Sequence, residues 1–198
     1  MLNIKTALIL TPHSDDLEFG CGGTVAKLVE HGVKVYSMVF FKKHPNTTDE
    51  WRDANEILNV ESIFLELPIR RFPEYRQDIL EELVAIKKRL RPDLVIQPSL
   101  SDIHQDHHTV AQEGLRAFKD KNLWGFEVPW NNLNFDTQLF VSLEDNHVEM
   151  KIEAIKCFKT QAYRPYSNED CIRSIMASRG VQVGVKNAEA FNVIRQIL

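Results

Sequence analysis

Short apolar runs alternate along the N-terminal part of the chain with stretches whose apolar positions recur at helical spacing. "KTALILTP" (Lys5 to Pro12), "KVYSMVFF" (Lys34 to Phe41), "SIFLEL" (Ser62 to Leu67) and "DLVIQP" (Asp93 to Pro98) are expected to be strands buried on both faces. Between the first two runs a helix is expected from about Gly23, with Val25, Leu28 and Val29 on one side and His31-Gly32 as its stop. Another is expected from Thr48 to Leu58, with Thr48 or Asp49 as N-cap after the polar loop "KKHPNTTDE". The clearest periodicity is Arg76 to Leu90, apolar at Ile79, Leu80, Leu83, Ile86 and Leu90 and halted before Pro92. A helix from His108 to Phe118 and strands at Trp124 to Val128 and Gln138 to Ser142 follow. The remainder reads as mostly helical, over Glu144 to Lys159 and Glu169 to Ser178.

Strands alternating with helices predict an α/β fold: a Rossmann-like open, mostly parallel sheet with helices on both faces and right-handed crossovers. At 198 residues, with no repeat or linker, the chain is expected to form a single domain over 1–198. In such sheets ligands gather beyond the C-terminal ends of the strands. Two polar segments leave strand ends of this kind. "LTPHSDDLEFGCGG" (Leu10 to Gly23) follows the first strand, and "SLSDIHQDHHTV" (Ser99 to Val110) follows the fourth.

Each segment sets histidines and aspartates at short spacing: His13, Asp15 and Asp16 in one, His104, Asp106, His107 and His108 in the other. A hydrolytic divalent metal needs two or three imidazole or carboxylate ligands, an open position for water and a free carboxylate to take its proton. Each segment also has a plainer reading, as an N-cap whose acids complement a helix dipole or as a polar capping loop. Their meeting on one rim favours the metal. "GCGG" at the start of a helix has the look of a phosphate cradle, but it lacks the GxGxxG spacing and a following Walker lysine. Acids at the same place would repel a phosphate, so close helix–strand packing is preferred.

Composition narrows the setting. A formal charge of −4, from 24 basic and 28 acidic residues, argues against nucleic acid as a partner. The basic groups Arg70-Arg71 and "KKRLR" are flanked by acids. Cys21, Cys157 and Cys171 are far apart and follow no metal spacing, the usage of a reducing compartment. "ALIL" is too short for a leader or a membrane span before Asp15-Asp16, so a cytoplasmic protein is expected.

These motifs resemble those of the PIG-L/LmbE-like family of zinc-dependent de-N-acetylases. The family's HPDDE motif and "GCGGT" turn are matched by His13-Ser14-Asp15-Asp16-Leu17-Glu18 and Gly20-Cys21-Gly22-Gly23-Thr24, and its HxDH motif by His104-Gln105-Asp106-His107. Ser14 stands where proline is usual, and the glutamate is displaced by one residue to Glu18. "DLVIQP", "KIEAIKCFKTQ" and "AEAF" extend the similarity over nearly the whole chain.

The resemblance implies that His13, Asp16 and His107 bind Zn2+ (Fe2+ or another divalent metal being the alternative) and that Asp15 is the general base on a zinc-bound water. It implies that His104 assists the oxyanion and leaving amine, oriented by Asp106. Arg52, at the start of the second helix, matches an arginine that would face substrate; a surface pair with Asp49 or Glu56 is its other reading. Trp130, Arg70, Arg71 and Tyr75 fall in loops that could line the cleft, with sugar stacking open to Trp130. The expected activity is removal of the N-acetyl group from an N-acetylglucosamine-type small molecule. A non-heme iron enzyme is disfavoured by the α/β alternation. A catalytically idle sugar-binding protein is disfavoured by Asp15 and His104, which a passive binder would not need.

Overall fold

The computed structural model describes residues 4–40 and 45–197; Phe41, expected to end the second strand, and Lys42 to His44 lie outside the described residues. Strands β1 (Thr6–Thr11), β2 (Lys34–Val39), β3 (Glu61–Phe64), β4 (Leu94–Pro98), β5 (Asn122–Phe126), β6 (Leu139–Leu143) and β7 (Asn187–Arg195) form one sheet in the order β3-β2-β1-β4-β5-β7-β6. The first five are mutually parallel, and β7 runs antiparallel to both of its neighbours. Among the described residues six α-helices accompany it: α1 (Asp16–Glu30), α2 (Pro45–Leu58), α3 (Arg76–Leu90), α4 (Gln105–Ala117), α5 (Asp145–Lys156) and α6 (Glu169–Gln182). This is the Rossmann-like α/β sheet that the alternation predicts.

The apolar run of β1 is continuous because both faces of the strand are covered. Ala7 and Ile9 pack with Val25 of α1, Trp51 of α2 and Ala154 of α5. Leu8 and Leu10 face the other way, against Ile79 and Leu83 of α3 and Val110 of α4. Each such fully buried aliphatic side chain stabilises the fold by roughly 1.5–3 kcal/mol. A third cluster seats Ile172 and Met176 of α6 against Leu143, Val148 and Ile152.

Three boundaries differ from expectation. Helix α1 starts at Asp16 instead of Gly23, and α4 at Gln105 instead of His108, so both motif segments are helical first turns more than loops. The glycine-rich part of α1 can be helical because it lies against the sheet: a methyl on Gly20 would overlap the Phe126 ring, and one on Gly23 would overlap Leu143. Helix α2 begins at Pro45, ahead of Thr48, as the fixed φ of proline suits a first turn. Residues 187–195 are not helical; they form β7, which inserts between β5 and β6.

Candidate metal centre

Strands β1 and β4 are adjacent and parallel, with Ala7 opposite Leu94, and the strand order reverses between them. Their C-terminal ends therefore open the crevice at the switch point of the sheet, where α/β sheets bind ligands. His13 follows β1, and Asp15 and Asp16 begin α1. Past β4, Asp102 N–H bonds to the Ser99 carbonyl (3.1 Å) and turns the chain into His104, the N-cap of α4, with Asp106 and His107 in its first turn.

Three atoms from the two segments converge. His13 Nδ1 lies 3.1 Å from His107 Nε2. Asp16 Oδ2 is 3.5 Å from the first and 3.3 Å from the second. In a tetrahedral zinc site with bonds of about 2.0–2.1 Å, neighbouring ligand atoms stand about 3.3 Å apart, so the triangle has the dimensions of one face of such a site. Nitrogens of His13, His104 and His107 also lie within 4.8 Å of one another, and these three histidines could hold an ion.

Hydrogen bonds at the far side of each ring distinguish the three. His13 Nε2 meets Asp106 Oδ2 at 3.1 Å, and His107 Nδ1 meets Asp102 Oδ2 at 2.8 Å. A carboxylate accepts, so in the neutral ring each of these nitrogens carries the proton and leaves the converging nitrogen as the lone-pair donor. In His104 the order is reversed. Its Nδ1 accepts the Asp106 backbone N–H at 3.1 Å, which puts the proton of the neutral ring on Nε2.

The charges follow from burial and neighbours. Burial opposes an imidazolium at His13, but hydrogen bonds to Asp106 and Asp16 outweigh it and raise its pKa to about 9. His107 is raised to about 10, again against burial, by the Asp16 charge and the bond to Asp102. Two imidazoles that hold protons so firmly among carboxylates mark a place that favours positive charge. Burial also works against ionised Asp16, yet His107 and His13 keep its carboxyl far below the usual range. Burial and the Asp16 charge push Asp15 up to about 6. His104 is lowered by burial and by the charges of His13 and His107, so it is neutral at physiological pH.

Asp15 occupies the N-cap position of α1, but its side chain makes no capping hydrogen bond and faces the cleft. The plainer reading of "HSDD" as a cap therefore does not describe it. The cleft has a volume of about 500 Å³, and Arg70, Asn131, Arg164 and Tyr166 join the motif residues along it. Glu18, in the first turn of α1, is fully buried with no hydrogen-bond partner for either carboxylate oxygen among the described residues, and burial pushes its pKa well up.

Three expectations need correction. The Asp106 side chain does not orient His104; besides His13 it accepts the backbone N–H of Arg70 (2.6 Å) and of Phe72 (3.3 Å). At the second position of α4 its N–H points back to the His104 ring while its carboxylate reaches the first motif, so it positions His13. Arg52 does not line the cleft: it is exposed on α2 and pairs with Asp49 at 3.1 Å, the surface reading. Arg71 pairs with Glu74, and Tyr75 packs into the apolar core beside α3. Trp130 does line the cleft, but one ring face is taken by Tyr166, stacked at 3.6 Å and 10°.

Sequence reasoning missed Asp102, Arg164 and Tyr166. Asp102 had a signal, an aspartate five residues ahead of the His107-His108 pair. The two cleft residues come from the segment after α5, which carries no metal-ligand pattern.

The family model described as PIG-L, GlcNAc-PI de-N-acetylase, matches residues 8–118, more than half of the chain. The uncharacterized deacetylase YaiS of Escherichia coli strain K12 is 28% identical over 169 residues, covering 79% of this chain and 91% of YaiS. The diacetylchitobiose deacetylase of Thermococcus kodakarensis is 28% identical over 142 residues, covering 63% of this chain and 53% of that protein. Among solved structures, the conserved protein TT1542 from Thermus thermophilus superposes with a TM-score of 0.84 at 22% identity, over 98% of this chain and 96% of that one. GalB, the 4-carboxy-2-hydroxymuconate hydratase of Pseudomonas putida KT2440, gives 0.81 at 19% identity, over 98% of each chain.

Proposed function

This chain belongs to the PIG-L family of GlcNAc-PI de-N-acetylases, and we propose that it removes the N-acetyl group from an N-acetylglucosamine-type sugar or sugar conjugate with the help of a zinc ion. The observation that carries the reading is the triangle of His13 Nδ1, His107 Nε2 and Asp16 Oδ2 beside an Asp15 carboxylate left free of capping. His13, Asp16 and His107 would hold the ion. When bound, it supplies a Lewis acid for the acetamide carbonyl and acidifies water.

The other groups have tasks set by their own environments. Asp15, with a pKa near 6, is ionised at neutral pH and basic enough to take a proton from the attacking water and pass it to the departing amine. His104 presents Nε2–H as a donor to the oxygen that becomes negative as the amide carbon turns tetrahedral. Asp106 and Asp102 fix the ring orientations of His13 and His107. The free Cys21, Cys157 and Cys171 support a cytoplasmic setting.

The test is acetate and amine release from zinc-loaded protein across N-acetylated amino sugars, with an N-acetylated peptide alongside. Equal release of both products from a sugar, with the peptide poor, is expected. GalB performs a hydration on the same fold. Tight metal binding with no acetate from any amide would therefore move this chain toward chemistry of that kind.

A further inference from the structure

Helices α1, α2 and α6 are closed by the left-handed residues Gly32, Asn59 and Gly184, the types that bear positive φ at least cost. Helix α3 is closed instead by Arg91 at φ 47°, with its N–H on the Lys87 carbonyl at 2.9 Å. Glycine would make the same cap without the Cβ penalty, so the cap itself does not call for an arginine. Arg70, at φ 67°, is a different case, because Asp106 and Gln105 clamp its peptide from both sides.

Arg91 lines a concavity of about 280 Å³ between the ends of α3 and α4, together with Lys87, Lys88 and Lys121 and the apolar Val84 and Ala117. Lys87 pins the two helices to each other: its Nζ donates to the Ala117 carbonyl at 2.9 Å and pairs with Asp120. Among the described residues Lys88, Arg91 and Lys121 have no carboxylate partner. The acids that flank "KKRLR" in the sequence are engaged elsewhere. Glu81 accepts from Gln77, and Asp93 accepts the N–H groups of Lys5 and Thr6 at 2.8 and 3.0 Å, beside β1. The dipole of α3 accounts for cations in its last turn. It does not account for an arginine on the left-handed cap, nor for Lys121 brought to the same concavity by the turn after α4. This place is remote from the metal centre: Arg91 and Lys121 precede β4 and β5, whereas the metal motifs follow β1 and β4.

We infer that Lys87, Lys88, Arg91 and Lys121 form a second binding site, for a small phosphate anion, on the rim of the sheet opposite the metal centre. Four cations against one carboxylate make it positive in a chain whose formal charge is −4. The guanidinium fork and the ammonium groups suit the oxygens of a tetrahedral anion. The volume is that of a small-ligand pocket, and the lining holds no aromatic ring on which a nucleic-acid base could stack. The site is independent of the deacetylase reading.

The test titrates the zinc-loaded full chain with inorganic phosphate and with pyrophosphate by calorimetry. Both should bind, pyrophosphate more tightly because it meets more of the cations, and binding should weaken as salt is raised. Arg91→Gly should weaken it roughly tenfold or more, the worth of a charge-assisted hydrogen bond. The same variant should keep or raise the Tm of the free protein, since it relieves the left-handed cap. Lys88→Gln and Lys121→Gln should weaken binding in the same sense, and all three variants should keep their zinc. Arg164→Gln, in the cleft, should keep the affinity, which sets the site apart from the metal centre that also attracts pyrophosphate.

Affinity unchanged in Arg91→Gly and Lys121→Gln, or lost in Arg164→Gln alone, would overturn the site. So would variants whose one change is a lower Tm, because the cations would then serve only the helix ends. Vesicles of phosphatidic acid present the same chemistry on a surface, and a concave site should leave them unbound in sedimentation. Capture by vesicles that Arg91→Gly abolishes, with neither free ion bound, would overturn the small anion as the ligand.

Discussion

Helix α1 carries a buried ionic cluster on each of its halves, and the two are completed in different ways. Past the kink at Cys21, where φ is −150°, the N–H groups of Gly23 and Thr24 donate to the Glu189 carboxylate at 3.0 and 2.6 Å. Lys151 of α5 meets the same carboxylate at 2.6 Å and the Phe19 carbonyl at 2.8 Å. The cradle that "GCGG" offers to a phosphate is filled by an anion from β7, and the chain supplies its cation. Ahead of the kink, Asp16 joins His13 and His107 with Asp15, Asp102 and Asp106 close by, and no lysine or arginine side chain pairs with these acids among the described residues. There the positive charge must come from protons on the imidazoles or from a bound ion. Glycines and acids at a helix start thus build a structural joint in one half and a reactive centre in the other. What separates them is whether the countercharge is covalently part of the chain.

The largest effect should come from the centre that lacks its own cation. Asp15→Asn is nearly isosteric but cannot take a proton, and losing a positioned base costs roughly 10²–10⁴-fold in rate. It should keep its metal, measured by elemental analysis, while kcat collapses. Asp16→Asn should lose metal affinity first and regain part of its activity in high zinc. The reverse pattern, with Asp15→Asn metal-free and Asp16→Asn fully active, would exchange the two roles.

The closed cluster should respond in stability. Lys151→Met leaves Glu189 buried with backbone donors alone, and breaking a buried pair from one side costs roughly 3–5 kcal/mol. Urea unfolding should show a lower midpoint at unchanged slope. Adding Glu189→Gln should recover part of the loss, because the uncompensated charge goes with it. No recovery would mean that the carboxylate is needed to hold α1 at its kink.

The same contrast explains what the sequence could show. Strand–helix alternation and the span of α3 were readable because apolar spacing and the stop before Pro92 are local signals. Both motif segments were readable for the same reason, as short runs of His and Asp. Strand β7 was not, since Glu189 breaks its apolar pattern and finds its partner, Lys151, only in the folded protein. The early start of α1 was hidden because its glycines are poor helix formers in isolation and are fixed by the sheet beneath them. The part of Asp102 depends on the turn that aims it at His107, and Arg70 betrays nothing of its φ.

The smallest effect sharpens the contrast through pH. In metal-free protein His13 keeps its proton to about 9 and His107 to about 10, against about 6.5 for an unfolded histidine. Between those values the folded state binds more protons than the unfolded one, so stability falls as pH rises. The contribution is whole below about 6.5 and gone above about 10. Asp16, held far below its ordinary value, has the opposite sign, and its contribution is lost only in acid. Asp15 gives up its extra proton by about 6, below the window. Protein stripped with a chelator should therefore lose several degrees of Tm from about pH 6.5 to 10. Zinc should flatten the curve, because it replaces the imidazole protons and binds more tightly as they leave. Calorimetry at pH 7 in buffers of different ionisation enthalpy should register protons released on zinc binding. Asp16→Asn should shallow the slope, since its charge supports both imidazoles, whereas Lys151→Met should lower Tm evenly and keep the slope. A flat profile in the stripped protein would mean that the imidazoles hold no extra protons, and that the centre is not short of positive charge.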